Sequence, residues 1–184
     1  MATFSLRYLG DPVLKQQASE VTNIDGRLVD IVDDMFEVLD DAHGLALAAP
    51  QVGIQKQLFV YDYLDEPGVL INPVIKESDD EWTYTEGCLS IPGIYFEIVR
   101  PKRVLVTGID IDGDEVTIEA DELQARMFQH EIDHLHGQLM IEHLTDEQAK
   151  AAKKHLLELR LHGPRRGTPI VTIGRDGLPL GDDD

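Results

Sequence analysis

The sequence predicts an α+β protein with an antiparallel β region in the middle of the chain, an N-terminal helix before it, and a histidine-containing helix and a C-terminal helix after it. Three observations lead to this prediction. Apolar residues recur at helical spacing over 25–44 and 145–161, the middle of the chain alternates apolar and polar residues between turn signals, and a histidine-containing helical segment follows that alternation. We therefore expect one domain over 1–162 and a flexible or loosely docked tail over 163–184, where glycine and proline are frequent.

Composition sets limits on size, compartment and partners. With 184 residues, of which 42% are hydrophobic, the chain can bury a core of ordinary size. The formal net charge of -19 argues against a broad nucleic-acid surface, because phosphate backbones are bound by clustered Lys and Arg. No stretch resembles a signal peptide or a membrane span, so we expect a cytoplasmic protein without membrane contact. A single cysteine, Cys88, cannot form an internal disulfide, which fits a reducing compartment.

The first predicted helix lies in "DGRLVDIVDDMFEVLDDAHG", with Asp25 as its N-cap and Gly44 as its end. Its apolar stripe consists of Leu28, Ile31, Val32, Met35, Phe36 and Leu39. Pro50 and Gly53 then interrupt short apolar runs, which favours strands and loops over a helix. The β region continues to about Ala120, with a hairpin turn predicted at Asp112-Gly113.

Two further helices follow the β region. One is predicted to begin near Asp121 and to end at Gly137, and it contains the stretch "FQHEIDHLHG". The next begins with the capping-box pair Thr145 and Gln148 and runs to about Leu161.

The first of these helices contains the pattern His-Glu-x-x-His at His130, Glu131 and His134. Residues four apart share a helix face, so the two imidazoles can bind one cation while Glu131 lies beside it. An acidic chain with 7 histidines would sometimes produce this pattern by chance, as part of a solvated face. The apolar neighbours Met127 and Leu135 favour a metal site instead.

A catalytic site of this kind needs a third protein ligand. The protease pattern with a third histidine is excluded, because Met140 stands at the required position. Glu158 could complete the site of another metalloprotease class, although a helical acid is more often simply solvated. Cys88, in "TEGCLSIPG", is the other candidate, although a lone cysteine is more often a small buried hydrophobe. A Cys-His-His site would select Fe(II), Zn, Ni or Co over Mg or Ca.

Three separated stretches together resemble the motifs of one enzyme family. They are "GLALAAPQVG" from Gly44, "EGCLS" from Glu86 and "QHEIDHLHG" from Gln129, and in this order they resemble peptide deformylases. The similarity extends over about 11–160. It implies an α+β fold in which antiparallel β-sheets pack around the central HExxH helix. It also implies a metal-dependent hydrolase that removes the N-formyl group from the N-terminal methionine of newly synthesised proteins and releases formate.

The resemblance also implies roles for individual residues. Cys88, His130 and His134 correspond to the metal ligands, and Glu131 corresponds to the acid/base. Gln51 and the Leu89 amide correspond to donors that stabilise negative charge on the formyl oxygen, and Glu86 and Arg100 to a supporting ion pair. The metal that the resemblance implies is Fe(2+), with Zn(2+), Ni(2+) or Co(2+) also compatible with these ligands.

Two residues depart from the family pattern and bear on substrate affinity. Ala46 stands where the first motif usually has its second glycine, which adds a methyl group near the substrate backbone. Arg126 stands one turn before His130, where the family commonly has an apolar pocket residue. We expect the stem of Arg126 to line the methionine pocket while its guanidinium reaches solvent.

Other functions and partners remain open on the sequence alone. The chain could be a zinc peptidase that uses a distant acid in place of Cys88, or a metal-binding module without turnover. The resemblance implies contact with the ribosome near the exit site through the C-terminal helix, where a basic cluster could bind RNA or simply form a solvated face. That cluster comprises Lys150, Lys153, Lys154, Arg160, Arg165 and Arg166. Four of the remaining histidines are predicted to be surface or cap residues: His43, His143, His155 and His162. His136, two positions after His134, is predicted to point to a different side of the helix.

Overall fold

A computed structural model describes residues 4–165 and 170–180. Within these residues the helices are α1 (Gly26–Asp41), α2 (Glu122–Leu135) and α3 (Asp146–His162). The strands are β1 (Ala46–Ala48), β2 (Leu58–Tyr63), β3 (Glu66–Cys88), β4 (Ile91–Ile109), β5 (Glu115–Asp121) and β6 (Val171–Ile173). The predicted α+β class is confirmed, and so are the three predicted helices.

The strands form one sheet in the order β1-β2-β3-β4-β5, with each neighbouring pair antiparallel. The predicted hairpin turn around Gly113 connects β4 to β5, and Gly113 has a φ of 91° there. β6 pairs with β4 in parallel, so the sheet is mixed rather than purely antiparallel as expected. The chain passes through β5, α2 and α3 between β4 and β6, and a parallel pair needs a long connection of this kind.

Helix α1 begins as predicted and ends slightly earlier. The Asp25 side chain accepts a hydrogen bond from the Leu28 amide, which caps the first turn. The helix stops at Asp41, and His43 adopts the left-handed conformation with a φ of 52°, where Gly44 was predicted to terminate it. Gly44 is required for another reason, since a Cβ there would lie 2.9 Å from side-chain carbons of Leu39 and Leu89.

The caps of the other two helices follow the predictions. Asp121 caps α2, and Gly137, with a φ of 71°, follows its C-terminus. Thr145 and Gln148 form the predicted capping box of α3, which is followed by Gly163. Each boundary is therefore fixed by side chains that the sequence alone reveals.

Helix α2 is the central element, since ten of its fourteen residues are buried. Its apolar face packs on the sheet through Ala125, Phe128 and Ile132, against residues such as Phe59 and Val106. Helix α1 packs on other apolar residues of β1 and β2, and α3 covers the start of β4. The motif helix thus lies against the sheet, where burial of its apolar side chains stabilises it.

Part of the segment after Gly163 joins the sheet, which the sequence did not predict. β6 places Ile173 in the core, and the Gln148 side chain donates to the Ile173 carbonyl at 3.2 Å. The domain boundary at 162 and the looseness of the tail stay predictions, and 166–169 and 181–184 lie outside the described residues. None of the described helices is long and apolar enough to cross a membrane.

Candidate metal centre

Helix α2 brings the two motif histidines together. His130 and His134 lie one turn apart on the same face, with their ring centroids 4.9 Å apart. Both are buried, at 8% and 1% exposure, so the solvated-face interpretation of the motif is wrong.

Cys88 reaches the same place from the end of β3. Opposite it, β4 bulges, because Glu86 pairs with Phe96 while Cys88 pairs with Ile91. A β-bulge re-aims the residues beside it. Gly87 permits this arrangement, since a Cβ at this position would lie 2.3 Å from the Tyr95 ring.

The sulfur of Cys88 and one ring nitrogen from each of His130 and His134 lie within 4.8 Å of one another. The Cys88 Sγ to His134 Nε2 distance is 3.3 Å. Two ligands of one tetrahedral ion, with bonds of about 2.3 Å to sulfur and about 2.0 Å to nitrogen, lie about 3.5 Å apart. The donor set and its spacing therefore fit a single divalent ion.

The outer nitrogens of the two histidines have different surroundings. His130 Nδ1 lies 2.7 Å from Glu86 Oε1, which directs Nε2 towards the cluster. His134 Nδ1 is buried and has no hydrogen-bond partner within 4–165 and 170–180. Burial lowers the pKa of His134 well below its usual value, and a metal binds the neutral ring that results.

Glu86 is the centre of a buried ion network. Arg100 donates to both of its oxygens, at 2.7 and 2.8 Å, as the resemblance implied. Arg126 Nη1 donates to Glu86 Oε2 at 2.9 Å, and Arg100 Nη1 also donates to Asp133 at 2.9 Å. Burial would raise the pKa of Glu86, but the hydrogen bonds from Arg100 and His130 hold it well below its usual range.

The prediction for Arg126 is wrong in one respect. Its guanidinium does not reach solvent, since the residue is 2% exposed. Besides Glu86, it donates through Nη2 to the carbonyls of Trp82 at 2.8 Å and Ile98 at 3.0 Å. A buried carboxylate and two carbonyls accept hydrogen bonds from Nη1 and Nη2, while the buried Nε has no partner among the described residues, and these acceptors hold the guanidinium inside the protein.

Glu131 lies between the two histidines in sequence and beside them in space. It is 4% exposed, and its Oε2 has no hydrogen-bond partner among the described residues. Burial raises the pKa of Glu131 to about 7, against the opposing charge of His130. A carboxylate with this pKa can both accept and release a proton near neutral pH.

Gln51 is held with its amide nitrogen towards Cys88. Its Oε1 accepts a hydrogen bond from the Ala48 amide at 2.8 Å, which fixes the orientation of the carboxamide. Its Nε2 lies 3.3 Å from Ser90 Oγ and 3.7 Å from Cys88 Sγ. Ser90, fully buried two residues after Cys88, was missed by the sequence analysis, because a serine next to a motif carries no signal of its own.

A cavity of about 700 Å³ adjoins the metal-ligating cluster, and Cys88 and His130 of that cluster line it. Its walls include Gln51, Glu86, Cys88, Leu89, Arg126, His130 and Glu131. Ala46 also lines it, so the added methyl group faces the space that a substrate would occupy. Tyr84 and Tyr95 are partly exposed at its wall.

Several other candidates lie outside this cluster. The Glu158 side chain is 48% exposed and pairs with Arg165 at 3.3 Å, so it does not complete the histidine pair. His143 contacts Asp133 at 2.8 Å, and His155 lies 3.2 Å from the Pro92 carbonyl. His43 is exposed and lies at the end of α1, as a cap residue would.

Comparison with known proteins identifies a common family. A family model described as polypeptide deformylase matches residues 4–150. The peptide deformylase of Parafrankia sp. is 44% identical over 160 residues, which cover 86% of this chain and 87% of that protein. The peptide deformylase of Mycolicibacterium vanbaalenii is 42% identical, and the match covers 98% of this chain and all of the relative, 100%.

Solved structures give the same result. The peptide deformylase of Synechococcus elongatus in complex with actinonin has a TM-score of 0.79 and 40% identity, covering 92% of this chain and 91% of its own. A plant peptide deformylase has a TM-score of 0.84 and 36% identity, covering 92% and 96% respectively.

Proposed function

The chain belongs to the polypeptide deformylase family, and on that premise we propose that Cys88, His130 and His134 hold its divalent metal ion while Glu131, Gln51 and the Leu89 amide act on the substrate. The chain is a hydrolase that removes the N-formyl group from the N-terminal methionine of newly made peptides and releases formate. One observation carries the assignment of residues. Segments around 51, 88 and 130 converge, so that the three metal-ligating atoms lie within 4.8 Å of one another, and Gln51, Cys88, His130 and Glu131 line one cavity.

Glu131 is the proton carrier of the proposed mechanism. A divalent ion, when bound, supplies Lewis acidity that makes water easier to deprotonate. Glu131 accepts the proton of the attacking water and then delivers it to the leaving amine of the substrate. Its buried position supports this role, because the raised pKa, about 7, lets the carboxylate exchange a proton near neutral pH.

Gln51 and Leu89 stabilise the negative charge that develops on the formyl oxygen. The Gln51 amide is already oriented by the Ala48 amide, so it need not reorganise during the reaction. Leu89 follows the ligand Cys88 and lines the same cavity. Fixed donors of this kind act most strongly in the transition state, where the charge is largest.

We propose Fe(2+) as the native ion. One sulfur and two imidazole nitrogens suit Fe(II), Zn(II), Ni(II) and Co(II), and family membership favours iron among them. Anaerobic purification followed by elemental analysis tests this choice. One equivalent of iron is expected, and one equivalent of zinc from the same anaerobic preparation would contradict it.

The decisive experiment measures formate release from an N-formyl-Met peptide, with metal content measured on the same samples. Cys88→Ala should lose both metal and activity. Glu131→Gln should keep the metal and lose activity by about 100-fold or more. Glu158→Ala is the matched control, since that half-exposed side chain is remote from the cluster, and it should behave as wild type. Activity that survives in metal-free Cys88→Ala would refute the assignment.

We further propose that α3 contacts the ribosome in the cytoplasm. On a chain of net charge -19, the helix presents the exposed basic side chains Lys150, Lys153, Lys154 and Arg160, and the exposed Arg165 lies just after its end. A local cluster of this kind suits RNA phosphates. Reversing Lys150, Lys153 and Lys154 to Glu should abolish co-sedimentation with ribosomes while formate release stays at the wild-type rate. Unchanged co-sedimentation would contradict the proposal.

A further inference from the structure

We propose that Arg126 is a positioning residue for the metal centre, which holds Glu86 against His130 and ties α2 to strands β3 and β4. The inference rests on the proposed function, since it presumes that His130 and Cys88 bind the ion. At this position the structure shows a buried guanidinium with a defined set of acceptors.

The contacts of Arg126 span three elements. From α2 it donates to the carboxylate of Glu86 and to the carbonyl of Trp82, both on β3, and to the carbonyl of Ile98 on β4. The Trp82 ring covers the guanidinium, with Cζ 5.3 Å from the ring centroid. Trp82 is in turn stacked on Tyr84 at 4.5 Å, so the guanidinium is enclosed by β3.

The metal ligands lie on the same elements that Arg126 connects. Cys88 is the last residue of β3, and His130 follows Arg126 by one turn of α2. The distance between sulfur and imidazole therefore depends on how α2 sits on β3. The Arg126 guanidinium, one turn before His130, donates a fork of three hydrogen bonds. This fork restricts how α2 packs on β3 more tightly than apolar contacts would.

Charge gives a second reason for the arrangement. Glu86 and Asp133 are two buried or largely buried carboxylates, and Arg100 contacts both of them. Arg126 supplies the second positive charge, which balances the group. Without Arg126, Glu86 would accept three hydrogen bonds in place of four and would keep one of its two guanidinium partners. The hydrogen bond between Glu86 and His130 Nδ1 would therefore change.

Groups that form hydrogen bonds with metal ligands affect how tightly the ion is bound. A carboxylate that holds the outer nitrogen of a ligand histidine fixes its tautomer and ring orientation, and loss of such support costs about 10–100-fold in metal affinity. Arg126 supports that carboxylate directly. We therefore expect Arg126 to act through Glu86 and His130 on metal retention.

The test uses Co(II) binding to chelator-treated protein, followed by thiolate-to-metal absorption, for wild type, Arg126→Met and Arg126→Lys. Met keeps the stem and removes the fork, and Lys keeps the charge without the fork. Affinity should fall about 10-fold or more in Arg126→Met and by an intermediate factor in Arg126→Lys. Arg126 also lines the cavity, so KM for an N-formyl-Met peptide is measured separately at saturating Co(II), and the loss of Co(II) affinity is expected whatever the value of KM.

The outcomes separate the possible explanations. A wild-type protein that neither binds Co(II) nor releases formate overturns the proposed function itself. If wild type does both while Arg126→Met binds Co(II) equally well, only the role of Arg126 is overturned. Unchanged Co(II) affinity with a raised KM at saturating Co(II) would show that Arg126 acts only as a wall of the substrate pocket, which overturns its positioning role. If Arg126→Met does not fold, Arg126→Lys decides, since wild-type affinity there overturns the need for the fork.

Discussion

Two groups of acidic and arginine side chains, one formed by β3, β4 and α2 and the other by β3 and β4 alone, have similar ion-pair distances and different surroundings. The buried cluster consists of Glu86, Arg100, Arg126 and Asp133, and the exposed cluster of Asp79, Asp80 and Arg103. Ion pairs in the buried cluster measure 2.7–2.9 Å. Those in the exposed cluster measure 2.9 Å. Yet Arg100 and Glu86 are 5% and 4% exposed, against 54% and 73% for Arg103 and Asp79.

Burial, more than contact distance, determines how much an ion pair contributes to stability. Water screens the exposed cluster and solvates either partner if the other is lost. In the buried cluster, removal of one partner leaves a charge in a poor solvent, which is costly. Hydrogen bonds lower the pKa of both Asp79 and Glu86, but only for Glu86 do they have to outweigh burial.

The largest effect is expected from Arg100→Met. This change leaves the carboxylates of Glu86 and Asp133 short of a buried partner, so the free energy of unfolding should fall by about 3–5 kcal/mol. Urea unfolding of the metal-free protein measures the change. A loss below about 1 kcal/mol, which is typical of exposed pairs, would show that the buried cluster contributes no more to stability than the exposed cluster does.

A pH-dependent difference should follow from Glu86. Its pKa is lowered from 4.5 on folding, so the ionised group stabilises the fold above about pH 4.5, and this contribution is lost as the pH falls further. Glu86→Gln should be less stable than wild type at about pH 6, and the difference between the two stability curves should begin to narrow as the pH falls below about 4.5. Urea unfolding of chelator-treated protein across this range tests the sign. Asp79→Asn is the control, and its curve should lie close to that of wild type, because water screens the exposed pairs that lower the pKa of Asp79.

An intermediate effect is expected at the edge of the buried cluster. His143 contacts Asp133 at 2.8 Å and is 33% exposed, so water can replace it as a partner. His143→Ala should lower the free energy of unfolding by less than about 1 kcal/mol and leave Co(II) affinity unchanged. A loss as large as that of Arg100→Met would extend the buried cluster to His143.

The smallest effect is expected from Arg103→Ala. The side chain pairs with Asp79 and Asp80 in the exposed cluster, and screening leaves such pairs with little net contribution. Thermal unfolding at low and high salt should match wild type, and so should formate release. A clear drop in melting temperature at low salt that disappears at high salt would show that the exposed cluster contributes after all.

Much of the site could be predicted before any coordinates. The spacing of His130 and His134 places them on one face whatever the helix packs against, because helical periodicity is local. Cys88 emerged as a candidate from its type and neighbours, and Glu86 and Arg100 from family resemblance. The direction of the Arg126 guanidinium could not be predicted, since its acceptors at Glu86, Trp82 and Ile98 are distant in sequence.

Two features of the fold show the same limit. The cap at Asp25 and the capping box at Thr145 depend on residues within one turn, and both were predicted. β6 depends on β4, whose partner residues 94–96 are more than seventy positions away, and it was missed. Gly44 was predicted to end α1, but glycine is required there because Leu39 and Leu89 leave no room for a Cβ.

By itself the sequence determined the helices, their caps, the antiparallel middle of the chain and the residue types able to bind a metal, because hydrophobic periodicity, capping and side-chain chemistry act over a few residues. Only the tertiary structure decided that Cys88 meets the two histidines within 4.8 Å and that two guanidinium groups surround Glu86. Those facts depend on how α2 packs on β3 and β4. Packing brings together atoms from distant parts of the sequence, and their separation in sequence does not indicate the distance between them.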